Sequence, residues 1–325
     1  MKSLTEQKEE VTMIIDFSRA VSLLHDNDNF IILTHANPDG DTLGAGFALL
    51  CALRKLGKKA RLVNNDPIPE KYRFLVSEGD DFEDGFILSV DVADTVLLGK
   101  DVQSRYGAEV SLAIDHHSTN RLFAKESYVE GESASVCEVV YLLINALGVE
   151  IDSSIATRLY TGCSTDTGCF RYTNVTPRTH RIAAELIECG ARHGEVNVRM
   201  FETKKPGFLK LQGLCISSLE MYFAGRVCVI TITQKMLRDC GCGEEDCDAI
   251  VALSRQIEGV QAGITFKEKK DGTYKVSVRT HESLDAAQFC SAFGGGGHAR
   301  AAGCQFDCML DEAKRRVIHE MEKYF

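Results

Sequence analysis

The sequence lacks the features that would place the protein at a membrane. It has no apolar run of the roughly 18 residues that a membrane-spanning helix requires. Its first residues, MKSLTEQKEE, mix both charges and differ from a signal peptide. From these absences we expect a cytoplasmic protein with no membrane partner.

A basic excess is also missing, since the formal net charge is −10 at pH 7. Proteins that grip long nucleic acids normally need a basic surface that releases counterions from many phosphates. We therefore expect no binding of long DNA. A small anionic substrate stays compatible with this charge, because metal ions can invert the local charge of an acidic pocket.

The cysteines do not form the even, regularly spaced set of a disulfide framework. There are 13 of them, scattered over the chain, which favours reduced thiols. Cys240, Cys242 and Cys247 stand close together in DCGCGEEDC, where three thiolates and a fourth ligand could hold zinc. Their spacing and number are irregular for such a site, so we leave them out of the candidate site.

The first part of the chain alternates apolar strands with helical stretches. The predicted strands are 30–34, 60–64, 86–91 and 109–115. This alternation predicts an α/β fold with a doubly wound, mostly parallel sheet. Later strands at 226–233 and 274–280 indicate a second, smaller α/β domain joined by a hinge. We predict domains at 1–190 and 214–325, with a linker at 191–213.

The segment THANPDGDTLG joins the first predicted strand to a helix predicted over 42–56. It carries His35, Asp39 and Asp41, three side chains that can bind a hard cation. Such a strand-to-helix turn is where an open α/β sheet places its ligand crevice. The alternative is an ordinary turn, in which Asp and Gly are common.

Other polar side chains follow the later strands. Asp91 ends a strand in ILSVDVAD, Asp115, His116 and His117 end another in AIDHHSTN, and TGCSTDTGCFRY predicts Asp166 in a turn after a helix. If the strand ends meet, the carboxylates repel one another unless cations neutralise them. Histidines with several carboxylates and no thiolate ligand favour Mn²⁺ or Mg²⁺, and the number of carboxylates suits two ions.

A glycine-rich loop, FGGGGHARAAG, lies near the end of the chain. Glycine lets the backbone approach an anion and direct N–H groups toward it. The predicted cradle for a phosphate or nucleotide combines this loop with a strand-end arginine; its members are Arg279, Gly294, Gly295, Gly296, Gly297 and His298. A flexible loop without a ligand is the alternative.

With these motifs in this order, the chain resembles the DHH-family phosphoesterases, named for the Asp-His-His seen here at positions 115–117. The GGGGH loop is similar to that of the DHH-associated C-terminal domain, which typically faces the metal site across a cleft. The resemblance therefore implies a metal-binding catalytic first domain and a substrate-binding second domain. A compact pair of such domains is most similar to the NrnA-like group of nanoRNases and pAp phosphatases.

The resemblance also implies roles for individual residues. One ion would be held by His35, Asp39 and Asp91, and the other by Asp41, Asp91, His116 and Asp166. His117 would face the substrate phosphate as a donor or acid, and Asp115 would orient the two histidines. Asp94 is a further, weaker candidate for a metal ligand, and the alternative is that it only caps the following turn.

The implied activity is hydrolysis of short oligoribonucleotides to mononucleotides, or of 3′-phosphoadenosine 5′-phosphate (pAp), with manganese preferred to magnesium. Two alternatives stay open. One is a phosphodiesterase acting on cyclic di-AMP or linear dinucleotides, and the other is a non-catalytic protein that senses nucleotides or binds RNA. Family members are often dimers, so a homodimer is an expectation.

Overall fold

The computed structural model describes residues 12–281 and 284–325, so MKSLTEQKEE at 1–10 lies outside the described residues. The chain forms two compact units, whose boundary in the sequence lies between Thr203 and Lys204. This boundary falls inside the predicted linker, 191–213. The predicted domain limits and the hinge stay predictions.

The first unit contains a six-stranded sheet. Its strands are β1 (Met13–Ile14), β2 (Phe30–Leu33), β3 (Ala60–Val63), β4 (Phe86–Val90), β5 (Leu112–Asp115) and β6 (Glu126–Val129). The order across the sheet is β1-β6-β5-β4-β2-β3, and every pair of neighbours is parallel. The predicted α/β fold with a mostly parallel sheet is confirmed.

Seven α-helices accompany this sheet among the described residues. They are α1 (Phe17–Asp26), α2 (Gly40–Lys55), α3 (Lys100–Tyr106), α4 (Val136–Ala146), α5 (Ser153–Asp166), α6 (Pro177–Glu188) and α7 (His193–Asn197). Shorter turns of 3₁₀ helix lie at Glu70–Leu75 and Thr95–Leu98, and Val198–Glu202 is π-helical. The predicted linker segment is therefore helical over much of its length.

Strand β2 is buried on both faces. Phe30 and Ile32 belong to one apolar cluster, whereas Ile31 and Leu33 belong to another, and all four are fully buried. Continuous apolar strands of this kind occur in parallel sheets that are covered by helices on both sides. This burial explains why an unbroken apolar run, rather than an alternating one, marks the strand in the sequence.

The chain order changes direction across the sheet beside β2. After β2 the chain forms β3 on one side of it and then β4 on the other. Open α/β sheets place their ligand crevice at such a switch point, beyond the carboxyl ends of the strands. Here β2 ends two residues before His35, β4 ends one residue before Asp91, and β5 ends on Asp115.

The predicted turn at Asp166 is wrong, because Asp166 is the last residue of α5. The hydroxyl groups of Thr157, Thr161 and Thr165 donate hydrogen bonds to carbonyl oxygens four residues earlier. These bonds satisfy the polar side chains inside the helix. The helix therefore continues through a segment whose composition indicates a turn.

The second unit is built on a mixed sheet. Its strands are β7 (Glu220–Tyr222), β8 (Val227–Ile232), β9 (Ala262–Glu268), β10 (Tyr274–Thr280), β11 (Gly296–His298) and β12 (Ala301–Phe306), in the order β11-β12-β10-β9-β8-β7. Among the described strands of this sheet, β8 and β9 form the one parallel pair. The helices are α8 (Pro206–Ser217), α9 (Gln234–Cys240), α10 (Cys247–Val251), α11 (Ala286–Ser291) and α12 (Leu310–Met321), with 3₁₀ turns at Glu244–Asp246, Leu253–Arg255 and Glu322–Tyr324. Within residues 12–281 and 284–325, no helix combines the length and apolar character that crossing a bilayer demands.

Candidate metal centre

The six side chains predicted to bind metal lie together at the switch point of the first unit. Their nitrogen and oxygen atoms, with those of His117, form three overlapping groups, each with all its atoms within 4.8 Å of one another. The groups are His35, Asp39 and Asp91; Asp41, His116 and Asp166; and Asp91, His116 and His117. Their role as ligands stays a prediction, but their convergence is the geometry that a cation site requires.

One half of the cluster is centred on His35. Its Nε2 lies 3.7 Å from Asp39 Oδ1 and 3.6 Å from Asp91 Oδ2. The other ring nitrogen, Nδ1, donates to the Ala36 carbonyl oxygen at 2.8 Å. Because Nδ1 is held by this bond, Nε2 is the nitrogen that faces the carboxylates.

The other half of the cluster is centred on His116. Its Nε2 lies 3.6 Å from Asp91 Oδ1, 3.6 Å from Asp166 Oδ2 and 3.8 Å from Asp41 Oδ2. Its Nδ1 donates to the Ser133 carbonyl oxygen at 3.0 Å. Asp91 thus lies next to both histidines, which is the position that a carboxylate shared by two ions would occupy.

Asp91 carries two further signs of a functional position. It is 4% exposed, and its buried Oδ1 has no hydrogen-bond donor among the described residues. Its backbone is left-handed, with φ at 63°, which is uncommon for a residue other than glycine. A buried carboxylate oxygen without a donor and a strained backbone both cost free energy. A cation contacting Oδ1 would offset that cost.

The carboxylates of the cluster repel one another. Burial, reinforced by the charges of Asp91 and Asp166, raises the pKa of Asp41 well above its usual range. Burial also raises the pKa of Asp166 to about 6, with nearby His116 opposing the shift and Asp91 adding to it. Both shifts mean that the site binds positive charge readily, either as protons or as a cation.

The carboxylates Asp39 and Asp41 are also fixed to the backbone. Asp39 caps α2, since its Oδ1 accepts hydrogen bonds from the N–H groups of Asp41 and Thr42 at 3.0 and 3.1 Å. Asp41 accepts from the N–H groups of Val136 and Cys137 at the start of α4, at 2.7 and 3.0 Å. Helix N-termini favour negative charge, so they hold these carboxylates in place.

Asp115 is placed to orient the histidine pair rather than to join the cluster. Its Oδ1 accepts from the N–H of His116 at 2.8 Å and contacts Nδ1 of His117 at 2.8 Å. Its Oδ2 accepts from the side-chain amide of Asn120 at 2.6 Å. The bond to Asp115 raises the pKa of His117 to about 9, although burial opposes the shift.

Asp94 caps the following helical turn, which was the alternative to a role in the metal site. Its Oδ1 accepts from the N–H of Val96, at the start of the 3₁₀ helix Thr95–Leu98, and its Oδ2 pairs with Arg121. It belongs to none of the three groups of metal-binding atoms.

Sequence reasoning missed an arginine that supports the cluster from α6. The guanidinium of Arg178 donates to Ser133 Oγ at 2.6 Å and to Glu130 at 2.5 Å, and its Nε lies 3.3 Å from the fully buried carboxylate of Glu138. Ser133 is the residue whose carbonyl oxygen holds His116. No local motif indicates Arg178, because its partners are 40 or more residues away in the sequence. Asn120, which bonds to Asp115, was not predicted either, although it is the last residue of the motif AIDHHSTN.

Arg178→Met is expected to weaken both folding and metal binding. The free energy of unfolding should fall by about 3 kcal/mol, because Glu138 is left buried and unpaired. Manganese affinity should fall about 10- to 100-fold, since the segment that orients His116 loses its anchor. The double variant Arg178→Met/Glu138→Met should recover much of the stability but not the affinity. Calorimetry of unfolding and of manganese binding measures both, and unchanged affinity in Arg178→Met would contradict the anchoring role.

In the second unit, the predicted glycine loop is partly a strand. Residues Gly296–His298 form β11 and pair with β12; a Cβ at Gly297 would lie 2.6 Å from the Ala301 carbonyl oxygen, so the pairing depends on glycine there. The N–H groups of Gly294 and Gly295 already donate to the carbonyl oxygens of Ser291 and Cys290, at 3.1 and 3.0 Å. The amides that could face an anion are therefore those of β11, because alternate N–H groups of an edge strand point outward.

Arg279 and His298 lie in one row across three strands. Ala301 of β12 pairs with Arg279 of β10 on one side and with His298 of β11 on the other. Residues directly opposite one another in antiparallel strands place their side chains on the same face. The pairing therefore places the side chains of Arg279 and His298 on the same face of the sheet, next to the edge strand β11, as an anion site would require. Substrate binding at this face stays a prediction.

Comparison with known families gives two matches. The model described as the DHH family, N-terminal domain, matches residues 29–163. The model of the DHHA1 domain matches residues 226–325. The first match contains His35, Asp91 and the 115–117 motif, and the second contains the whole GGGGH segment.

Similar proteins align along nearly the full length. The bifunctional oligoribonuclease and PAP phosphatase NrnA of Thermus thermophilus is 36% identical over 90% of this chain and 89% of its own. The protein of the same name from Bacillus subtilis is 25% identical over 95% of this chain and 98% of its own. The solved structure of an exopolyphosphatase-related protein from Bacteroides fragilis has a TM-score of 0.84 at 22% identity and covers 94% of this chain and 95% of its own. This similarity shows that the two proteins share a fold.

Proposed function

The chain belongs to the DHH family of phosphoesterase hydrolases, and we propose that it hydrolyses short oligoribonucleotides to mononucleotides and removes a phosphate from pAp. The resemblance predicted from the four motifs and the GGGGH segment is confirmed by the family matches. The names of the Thermus thermophilus and Bacillus subtilis relatives support this choice of substrates.

The observation that carries the proposal is the convergence of two imidazoles and four carboxylates at one edge of the sheet. Asp91 lies between the two imidazoles, and its buried Oδ1 accepts no hydrogen bond from the described residues. Phosphoesterases of this family use divalent cations, and the side chains fit them by type and by position. We propose that the site holds two ions, manganese in preference to magnesium, because nitrogen and carboxylate ligands without thiolate suit these metals. When bound, the ions would neutralise the carboxylates and stabilise the charge that develops during phosphoryl transfer.

His117 is the group proposed to act on the substrate phosphate. Its Nδ1 is held by Asp115, which leaves Nε2 for a ligand, and the side chain is 45% exposed. The hydrogen bond to Asp115 raises the pKa of His117 and so favours the protonated ring, which can donate a hydrogen bond to a phosphate oxygen or a proton to the leaving oxygen. Asp115 and Asn120 would fix the ring for that role.

A panel of substrates tests this function. Initial rates with Mn²⁺ are measured on a dinucleotide RNA, a slightly longer oligoribonucleotide, pAp, cyclic di-AMP, pyrophosphate and single-stranded DNA. The short RNAs and pAp should be the best substrates. A preference for pyrophosphate would overturn the choice of substrates, and a preference for cyclic di-AMP would favour the phosphodiesterase alternative. Tight nucleotide binding without any turnover would favour a sensor.

Arg279→Gln is expected to weaken substrate binding rather than the chemical step. We propose that its planar guanidinium binds a substrate phosphate together with His298 and β11. KM for pAp should rise about tenfold, the loss of about 1.4 kcal/mol, while kcat changes by less than about threefold. Lys275→Gln removes the same charge from the same face of β10 and should leave KM near that of the wild type. Equal effects of both variants, or a fall in kcat alone, would contradict the role of Arg279.

Two finer expectations complete the proposal. The homodimer inferred from the family resemblance is tested by sedimentation equilibrium of the full chain, where a single species of 35.8 kDa would contradict it. The cytoplasmic location is tested by fractionation of the source cells.

A further inference from the structure

A cavity of about 330 Å³ lies at the start of α5, at the opposite end of that helix from Asp166. Since an α-helix rises about 1.5 Å per residue, 14 residues place the cavity roughly 20 Å from the metal centre. Its lining contains no acidic residue and consists of Phe74, Ser153, Ser154, Thr157, Arg158 and Arg192. In a chain of net charge −10, this is a local concentration of positive charge.

Arg158 is the buried cation of this lining. It is 7% exposed, and among residues 12–281 and 284–325 it has no ion-pair partner. Its guanidinium donates only to uncharged acceptors: the carbonyl oxygens of Leu75 and Ser154 and the hydroxyls of Ser154 and Ser77. A buried cation without a counter-charge costs free energy, and an anion in the adjoining cavity would offset that cost.

The charges around the cavity leave it positive. The carboxylate of Asp152, which precedes α5, is already paired with Lys55 at 2.8 Å and caps the helix. Arg192 forms a hydrogen-bonded ion pair with Glu195 at 3.2 Å, but both side chains are largely exposed, so solvent screens this pair. A small adjoining space shares Phe74, Thr157 and Arg192 and is also lined by Arg199 and Glu195, so the two spaces together have three arginines and one carboxylate in their lining.

The remaining lining offers a donor and a ring. The hydroxyl of Ser154 accepts from Arg158, so its own proton can be donated to a ligand. Phe74 is half-buried and stacks under the guanidinium of Arg199, with the ring centre 4.8 Å away. The volume lies in the range of small-ligand sites and exceeds what a single phosphate group needs.

We propose that this cavity binds a phosphate monoester of nucleoside size, with the phosphate between Arg158 and Arg192 and the organic part against Phe74. The phosphate group is the shared chemistry that free phosphate and a nucleoside monophosphate both supply. Binding here stands apart from the proposed hydrolysis, because its residues lie outside the metal centre.

A fluorescent reporter can be placed in the cavity itself. The chain has nine tyrosines but no tryptophan, so Phe74→Trp creates a single tryptophan that can be excited selectively and that lies in this cavity rather than at the metal centre. Tryptophan also keeps the stacking on Arg199. The full chain is titrated with AMP, inorganic phosphate and adenosine, in the Phe74→Trp background alone and combined with Arg192→Gln or Arg181→Gln. Arg181 is an exposed arginine on α6, which makes its variant the matched control.

AMP should give a saturable change in fluorescence, and Arg192→Gln should raise its Kd at least about tenfold, whereas Arg181→Gln should not. Phosphate should bind more weakly than AMP, and adenosine should not bind. Equal affinity for AMP and phosphate would overturn the nucleoside part of the proposal. No saturable signal with AMP at millimolar concentration, or the same Kd with Arg192→Gln, would overturn the site.

If Phe74→Trp does not fold, equilibrium dialysis of AMP against the full chain with saturating manganese replaces the reporter. The wild type and Arg181→Gln should then bind one more AMP per chain than Arg192→Gln. Equal binding by all three proteins would overturn the proposal, whatever their activity toward RNA.

Discussion

Asp91→Asn is expected to lower kcat/KM for short RNA and pAp by at least about 10³-fold, which corresponds to about 4 kcal/mol of transition-state stabilisation. Asp91 lies 3.6 Å from both His35 and His116, so it is the carboxylate that two ions would share. An amide keeps the size of the side chain but replaces one of its two anionic oxygens. Asparagine also tolerates the left-handed backbone at this position, so the substitution adds little strain.

Folding failure would not explain that result. Removal of the Asp91 charge relieves repulsion with Asp41 and Asp166. It also removes a contact with His35, whose pKa, although burial opposes the shift, is raised to about 11 by Asp39 and Asp91. Because these two effects oppose each other, the unfolding temperature of Asp91→Asn in the presence of a chelator should stay close to that of the wild type. Asp94→Asn, which changes the nearby capping carboxylate, should keep its activity within a few-fold. Activity of Asp91→Asn within about tenfold of the wild type would contradict a shared metal ligand.

Gly162→Ala is expected to damage both stability and activity, although alanine favours a helix over glycine by about 1 kcal/mol. A Cβ at Gly162, inside α5, would lie 2.2 Å from Cys137 Sγ and 2.5 Å from Asp41 Oδ1. Both neighbours are buried, so relief requires movement of α4 or of the Asp41 carboxylate. We expect a net loss of about 2 kcal/mol, seen as a fall of about 4–8 °C in Tm. Manganese affinity should fall with it, because Asp41 is displaced from the N–H groups that hold it.

Gly194→Ala is the control for this prediction. Gly194 lies in α7 of the same unit, and a Cβ there would meet no atom within 4 Å. Its Tm should stay within about 2 °C of the wild type. If Gly162→Ala matched Gly194→Ala in both Tm and manganese affinity, close packing of α5 on the metal centre would be refuted.

The parts of the site that could be predicted from the sequence are those written in local patterns. The apolar run of β2 and the turn that follows it place His35, Asp39 and Asp41 within seven residues, and strand ends identify Asp91 and Asp115 in the same way. Parallel strands in a doubly wound sheet bring their carboxyl ends to one edge, so convergence follows from topology.

The parts that could not be predicted depend on contacts between distant segments. Arg178 reaches Glu138 and Ser133 across 40 and 45 residues, and no periodicity reports such a contact. Strand β12 has the sequence AAGCQF, whose small residues have little strand propensity, and it forms through pairing with β10 and β11. The helical position of Asp166 was missed because threonine hydroxyls bond within α5, which composition alone does not reveal.

The central claim is that distant carboxylates and imidazoles converge to hold paired divalent cations. Anomalous diffraction at the manganese absorption edge, from crystals of the full chain soaked in Mn²⁺, tests it most directly. We predict two manganese peaks per chain, both in contact with Asp91, one also contacting His35 and the other His116. Data of good quality with no anomalous peak at these side chains would contradict the account.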